Sequence, residues 1–235
     1  MIDAGQKDPT SGGAVIDAVL LDLDGTLVDS VYEHVRAWKL AFQRVGLDVP
    51  GARIHRAIGM GGDQLVAEVA GEAAERTVGD AVRKLHDELF WEEMQEVRAL
   101  PGAGDLLRAV HQAGLTMVLA SSSPADQVDR MLEVVDDAHL IDHLTTGDDA
   151  DASKPAPDII AVAAEKAGTS RAVVVGDAVW DIESARRAGL PCIALRSGGI
   201  GEDELRAAGA VDVALGPGDL AERLQEVLAS VRAPG

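Results

Sequence analysis

The chain has 235 residues, 47% hydrophobic and 26% charged, a balance typical of soluble globular proteins and enough for a core plus a modest second unit. Its 21 basic and 40 acidic side chains give a formal charge of -19, a field that repels phosphate backbones and anionic lipid and argues against nucleic-acid and membrane partners. A single cysteine, Cys192, excludes an intrachain disulfide, and no run approaches the roughly 18 apolar residues of a membrane span. Residues 1–13 are polar and glycine-rich, lack the apolar stretch of a signal peptide, and read as a disordered leader. A cytoplasmic location is the default expectation; the oligomeric state is open, and a monomer is compatible with everything in the sequence.

In chain order, short apolar runs occur at 14–23, 115–120, 172–175 and 191–195, with weaker ones at 144–146 and 211–215. They are continuous rather than alternating, as expected of strands buried on both faces, and helical patterns lie between most of them. That alternation predicts a doubly wound, parallel-sheet α/β core.

Residues 30–99 interrupt the rhythm and show no strand pattern. Ser30 with Glu33 predicts a capping box; Val31, Val35, Trp38, Phe42 and Val45 follow at helical spacing until Gly46. Further helical patterns span 52–58, 63–70 and 78–97, with Phe90 and Trp91 expected to pack inside. Pro101-Gly102 marks the return to the α/β pattern. The predicted organisation is a core formed by 14–29 and 100–235, interrupted by a helical module at 30–99.

Four segments stand at the ends of predicted strands, where open α/β sheets bind ligands. In Asp22-Leu23-Asp24-Gly25-Thr26-Leu27-Val28-Asp29, the carboxylates of Asp22 and Asp24 sit at i and i+2 and point the same way, and Gly25 permits a tight turn. Alone, Asp-Gly is a common surface turn. Ser121, opening Ser121-Ser122-Ser123-Pro124, offers a hydroxyl and N–H groups for phosphate oxygens, or equally a helix cap. Lys154 lies in a loop fixed by Pro155 and Pro157, so it is held in place. Asp177 and Asp181, in Gly176-Asp177-Ala178-Val179-Trp180-Asp181, straddle a strand end and a helix start. With Asp22 and a backbone carbonyl they supply the hard oxygen ligands that Mg²⁺ prefers.

Together and in this order, the four motifs resemble the haloacid dehalogenase superfamily, in its phosphatase branch, over roughly residues 14–215. The resemblance implies a Rossmann-like α/β core with an inserted α-helical cap. It also implies that Asp22 is the nucleophile that becomes an aspartyl-phosphate and Asp24 the general acid/base. Ser121 and Lys154 would hold phosphoryl oxygens, and Mg²⁺ would be bound by Asp22, Asp24 (through its carbonyl), Asp177 and Asp181. Gly25, Thr26 and Ser122 in the core, with His34, Gly61 and Gly62 from the insertion, are the expected substrate contacts.

True dehalogenases of this superfamily lack the second acid, and Asp24 supplies a proton that an alkoxide leaving group needs and a halide does not. Tyr32, His34 and Trp38 resemble a stretch of β-phosphoglucomutase, but the glycine-rich turn 59–63 has no arginine for a distal phosphate, and Gly176 stands where mutases tend to carry an acid. That turn is the expected specificity element, with Arg53 and Arg56 as nearby candidates for an anionic group. The expected activity is a Mg²⁺-dependent phosphatase acting on a small phosphorylated metabolite. The alternatives are a sugar-phosphate mutase and a catalytically silent protein of the same fold.

Overall fold

The computed structural model describes residues 16–150 and 152–231; residues 1–13, read as a leader, lie outside the described residues. The strands are β1 (Ala18–Leu21), β2 (Val28–Asp29), β3 (Arg98–Ala99), β4 (Thr116–Ala120), β5 (His143–Thr145), β6 (Ala172–Gly176), β7 (Cys192–Leu195) and β8 (Asp212–Ala214). The α-helices are α1 (Val31–Arg44), α2 (Gly51–His55), α3 (Gly62–Ala70), α4 (Glu72–Glu93), α5 (Ala103–Gln112), α6 (Ala125–Leu132), α7 (Asp158–Ala167), α8 (Val179–Arg187), α9 (Glu202–Ala208) and α10 (Pro217–Ser230).

Six strands form one parallel sheet in the order β5-β4-β1-β6-β7-β8. The continuous apolar runs follow from this arrangement. In β1, Val19 and Leu21 face one layer with Leu106, Leu107, Leu220 and Leu224, while Ala18 and Leu20 face the other with Ile159, Ile160 and Ile182. No position on such a strand meets water, so no alternation is written into it. Successive connections from β1 run outward one way through β4 and β5, then return and run the other way from β6. The crevice at that reversal, between the carboxyl ends of β1 and β6, is where ligands bind in doubly wound sheets.

The helices α1 to α4 are inserted between β2 and β3, which pair antiparallel through Val28↔Ala99 and Asp29↔Arg98. This ribbon corrects the expectation of no strand in 30–99. Two residues are too few to show a period, so the sequence could not signal it. Within the insert, α1 packs on α4, burying Ala37, Trp38, Ala41 and Phe42.

Three further expectations are corrected. Helix α4 begins at Glu72 rather than Val78, directly after Gly71, whose φ of +88° ends α3. Phe90 is fully buried, but Trp91 is 51% exposed; neighbouring residues on a helix point about 100° apart, so only one of them faces the interior. Ser30 precedes α1 without capping it: its hydroxyl donates to Asp24 Oδ1 at 2.5 Å. A bond to an ionised carboxylate is roughly twice as strong as a neutral one, and it wins over the helix N–H groups. Among the described residues, no helix is long and apolar enough to cross a membrane.

Leu20 is wholly buried at the centre of the sheet. Leu20→Ala is expected to destabilise the protein by roughly 2–5 kcal/mol through lost burial and a residual cavity. A urea-unfolding midpoint that does not move would contradict this placement.

Candidate active site

The register of the sheet builds the site. Leu21 pairs with Val175, so Asp22 and the Gly176-Asp177 pair emerge side by side at the switch point. Asp181 sits one turn into α8, where its Oδ2 accepts the Ala178 N–H at 3.0 Å. Asp22, Asp177 and Asp181 are all buried and bring one carboxylate oxygen each within 4.8 Å of the others.

Lys154 enters from the Pro-rich loop and is 1% exposed. Its ammonium donates to Asp22 Oδ1 at 2.5 Å and stands 2.7 Å from Asp181 Oδ1. Burial pulls the lysine pKa down, but Asp181 and Asp22 outweigh it, so Lys154 is raised and stays charged. One cation does not balance three acids. Burial, partly offset by Lys154 and reinforced by Asp181 and Asp24, pushes Asp22 up to about 7. Burial, then the charges of Asp181 and Asp22, raises Asp177 well above the carboxylate range. The donor set therefore has hard oxygen ligands and a surplus of negative charge, which is what a divalent cation such as Mg²⁺ requires.

Asp24 is braced on three sides. Its Oδ1 accepts from Ser30 Oγ at 2.5 Å and lies 3.0 Å from His34 Nε2; its Oδ2 accepts from Ser123 Oγ at 3.0 Å. Burial alone would raise Asp24, but the charge and hydrogen bond of His34 with the two hydroxyls outweigh it, so its pKa is lowered. His34 stacks on Phe90 with ring centroids 3.7 Å apart, and its Nδ1 lies 3.1 Å from His86 Nε2. His86 Nδ1 lies 3.0 Å from Asp87 Oδ1. Burial lowers the His86 pKa to about 4, so this ring is neutral at pH 7. Asp87 Oδ1 accepts from the ring's Nδ1–H, which leaves Nε2 as an acceptor facing His34 Nδ1. At the other ring nitrogen, Nε2 of His34 is the donor to Asp24, because an ionised carboxylate only accepts.

The remaining expected site residues divide. A cavity of about 330 Å³ is lined by Asp22, Asp24, His34, Gly61, Gly62 and Ser122, together with residues that the motifs did not single out: Ser123, Gln127, His86, Asp87, Arg83 and Ser153. Ser121, Gly25, Thr26, Lys154, Asp177 and Asp181 stand behind this surface. Ser121 is fully buried; its N–H donates to Thr145 O and its Oγ accepts the Ser123 N–H at 3.1 Å, an arrangement that shapes the turn. Thr26 Oγ1 reaches Asp177 Oδ1 at 3.4 Å. Gly25 has φ +74°, and a Cβ there would overlap the Asp177 carboxylate, so only glycine fits.

Arg53 and Arg56, the candidates for anion recognition, do not line the cavity. Arg56 pairs with Glu204, and its carbonyl accepts from Trp180 Nε1 at 2.8 Å, tying the insert to α8. The cavity's arginine is Arg83, a helical residue with no motif to mark it. His86 and Gln127 were equally illegible, because their relevance depends on two helices meeting.

Residues 16–189 match the family model of haloacid dehalogenase-like hydrolases. The phosphoglycolate phosphatase of Salmonella typhimurium is 32% identical over 207 residues, covering 78% of this chain and 82% of that one. A hydrolase from Pseudomonas syringae of known structure is 35% identical with a TM-score of 0.84, covering 89% of this chain and 98% of its own. The β-phosphoglucomutase of Clostridium difficile, 20% identical with a TM-score of 0.77 over 91% of this chain and 97% of its own, shares the fold. The chain belongs to the haloacid dehalogenase-like hydrolase family, in its phosphatase branch.

Proposed function

We propose that the chain is a Mg²⁺-dependent phosphatase that hydrolyses a small organic phosphate monoester through an aspartyl-phosphate on Asp22. The observation that carries this reading is the placement of two neighbouring carboxylates with different partners. Asp22 is gripped by Lys154 at the switch point, while Asp24, two residues on, is tied to a proton-bearing imidazole.

Asp22 Oδ1 is occupied by Lys154, and no side chain among the described residues donates to Oδ2. That oxygen is free to attack phosphorus as the leaving-group oxygen departs with a proton from Asp24, which is ionised in the free site and must take up that proton before the step. Asp24 then removes a proton from the water that attacks the acyl-phosphate and returns Asp22 to its carboxylate. Ser122 Oγ, buried at the cavity wall without a partner among the described residues, is available to a phosphoryl oxygen. Asp22, Asp177, Asp181 and the Asp24 carbonyl would hold Mg²⁺, which supplies charge compensation for a phosphate dianion beside these carboxylates. Lys154 favours the ionised form of Asp22 against the burial that raises it, and holds the carboxylate in place at the cavity. The inserted helices act as a cap that shields the intermediate from bulk water.

The mutase alternative gains nothing from the geometry. The turn at Gly59 to Gly62 carries no arginine, and a Cβ at Gly176 would run into the Asp181 carboxylate, so an acid there does not fit. All four motifs being intact likewise disfavours a silent binding protein.

Asp22→Asn is expected to abolish phosphate release from para-nitrophenyl phosphate, and EDTA to do the same reversibly on adding Mg²⁺. Full activity in either experiment refutes the mechanism. Asp24→Ala is expected to lower kcat by about 10²- to 10⁴-fold, the usual contribution of a general acid/base, with a smaller change in KM. His34→Ala should lower kcat by about tenfold and shift the pH–rate profile, since it removes one hydrogen bond to Asp24 rather than the acid itself. An unchanged profile would remove His34 from the acid–base pair.

A further inference from the structure

The cavity wall beyond Asp22 and Asp24 is built to accept hydrogen bonds. Asp63 comes from the start of α3, Asp87 from α4, and Asp148 from the loop after β5; all three line the same space. Opposing them is one cationic side chain on that wall, Arg83, and it is already engaged. Its Nη1 donates to Glu75 Oε2 at 2.9 Å and Gly62 O at 3.2 Å, and its Nη2 to Asp80 Oδ1 at 2.6 Å.

Gln127 supplies an independent observation. It lies on α6, is 3% exposed, and lines the cavity. Its Nε2 donates to Asp87 Oδ1 at 3.5 Å, which fixes the amide orientation, since the reverse would set oxygen against carboxylate. Its Oε1 is left buried, with no partner among the described residues. A buried acceptor without a donor is costly, and a ligand's O–H relieves it.

We propose that the leaving-group half of this cavity selects an uncharged, hydroxyl-bearing group, so that the preferred substrates are polyol or sugar monophosphates rather than phosphorylated carboxylic acids or bisphosphates. A carboxylate or second phosphate would face Asp63, Asp87 and Asp148 with no uncommitted cation, whereas hydroxyls donate to Gln127 Oε1 and to the aspartates. This selectivity differs from the one named for the phosphoglycolate phosphatase relatives, and it rests on the phosphatase reading above.

The test is a comparison of kcat/KM, by inorganic phosphate release with Mg²⁺ present, for glycerol 3-phosphate, 2-phosphoglycolate and O-phosphoethanolamine. Glycerol 3-phosphate is expected to exceed 2-phosphoglycolate by about tenfold or more. Gln127→Leu should lower kcat/KM for glycerol 3-phosphate about 3- to 10-fold more than for 2-phosphoglycolate, the range of one neutral hydrogen bond. Asp87→Asn should narrow the gap from the other side, and thermal melting checks that both variants fold. Equal or better use of 2-phosphoglycolate by the unmodified protein overturns the proposal. So does a preference for O-phosphoethanolamine, which would assign the acidic wall to an ammonium group. If no monoester releases phosphate, para-nitrophenyl phosphate included, the phosphatase reading itself falls.

Discussion

Lys154 stands among three buried carboxylates, and the remainder of the site is arranged around that imbalance. A buried charge without a partner costs several kcal/mol, and like charges brought together cost more. Asp22, Asp177 and Asp181 crowd within 4.8 Å because the parallel register delivers two of them from adjacent strands and the first turn of α8 delivers the third. The lysine ammonium touches Asp22 and Asp181, leaving Asp177 to the Thr26 hydroxyl. The deficit that remains appears as raised pKa values at Asp22 and Asp177. A hard dication would cancel the excess of three carboxylates over one ammonium, so that a phosphate dianion meets a neutral pocket rather than a negative one, which makes substrate occupancy depend on metal occupancy.

The same crowding explains which glycines are irreplaceable. At Gly25, Gly176 and Gly198, an added Cβ would overlap the carboxylate of Asp177 or Asp181. These residues do not line the cavity. Their role is to let three backbone segments approach the acids closely enough that the carboxylates cannot rotate away. A pocket held this way spends little reorganisation when charge develops on phosphorus.

The parts of this arrangement that were legible in the sequence are those imposed by one strand or one short motif. Buried parallel strands write uninterrupted apolar runs, so the four central strands of the main sheet were marked clearly and the edge strands β5 and β8 only weakly, and the acids at the ends of β1 and β6 were marked with them. Features created by two elements meeting were not. The hydroxyl of Ser30 looked like a helix cap because its nearest sequence neighbours are helical, yet the carboxylate of Asp24 is the stronger acceptor. Phe90 and Trp91 are adjacent apolar residues, and only the packing of α4 against α1 decides which faces inward. Arg53 and Arg56 were near the right turn in sequence, whereas Arg83 reaches the cavity from a different helix, 21 residues beyond the Gly62 carbonyl it holds.

The insert also braces Asp24. His34 on α1 and His86 on α4 form a stacked, hydrogen-bonded column with Phe90 and Trp38 that ends on Asp24. Asp24 of the core therefore takes its imidazole partner from the inserted helices, with Ser123 the one core side chain among the described residues that bonds it from the other side. Two parts of the insert then differ in what they can vary. The turn at Gly59 to Gly62 touches the cavity without touching Asp24, so its residues can reshape the cavity without disturbing that carboxylate. Helices α1 and α4 cannot be exchanged that freely, because repacking the column would move His34, and with it the hydrogen bond to Asp24.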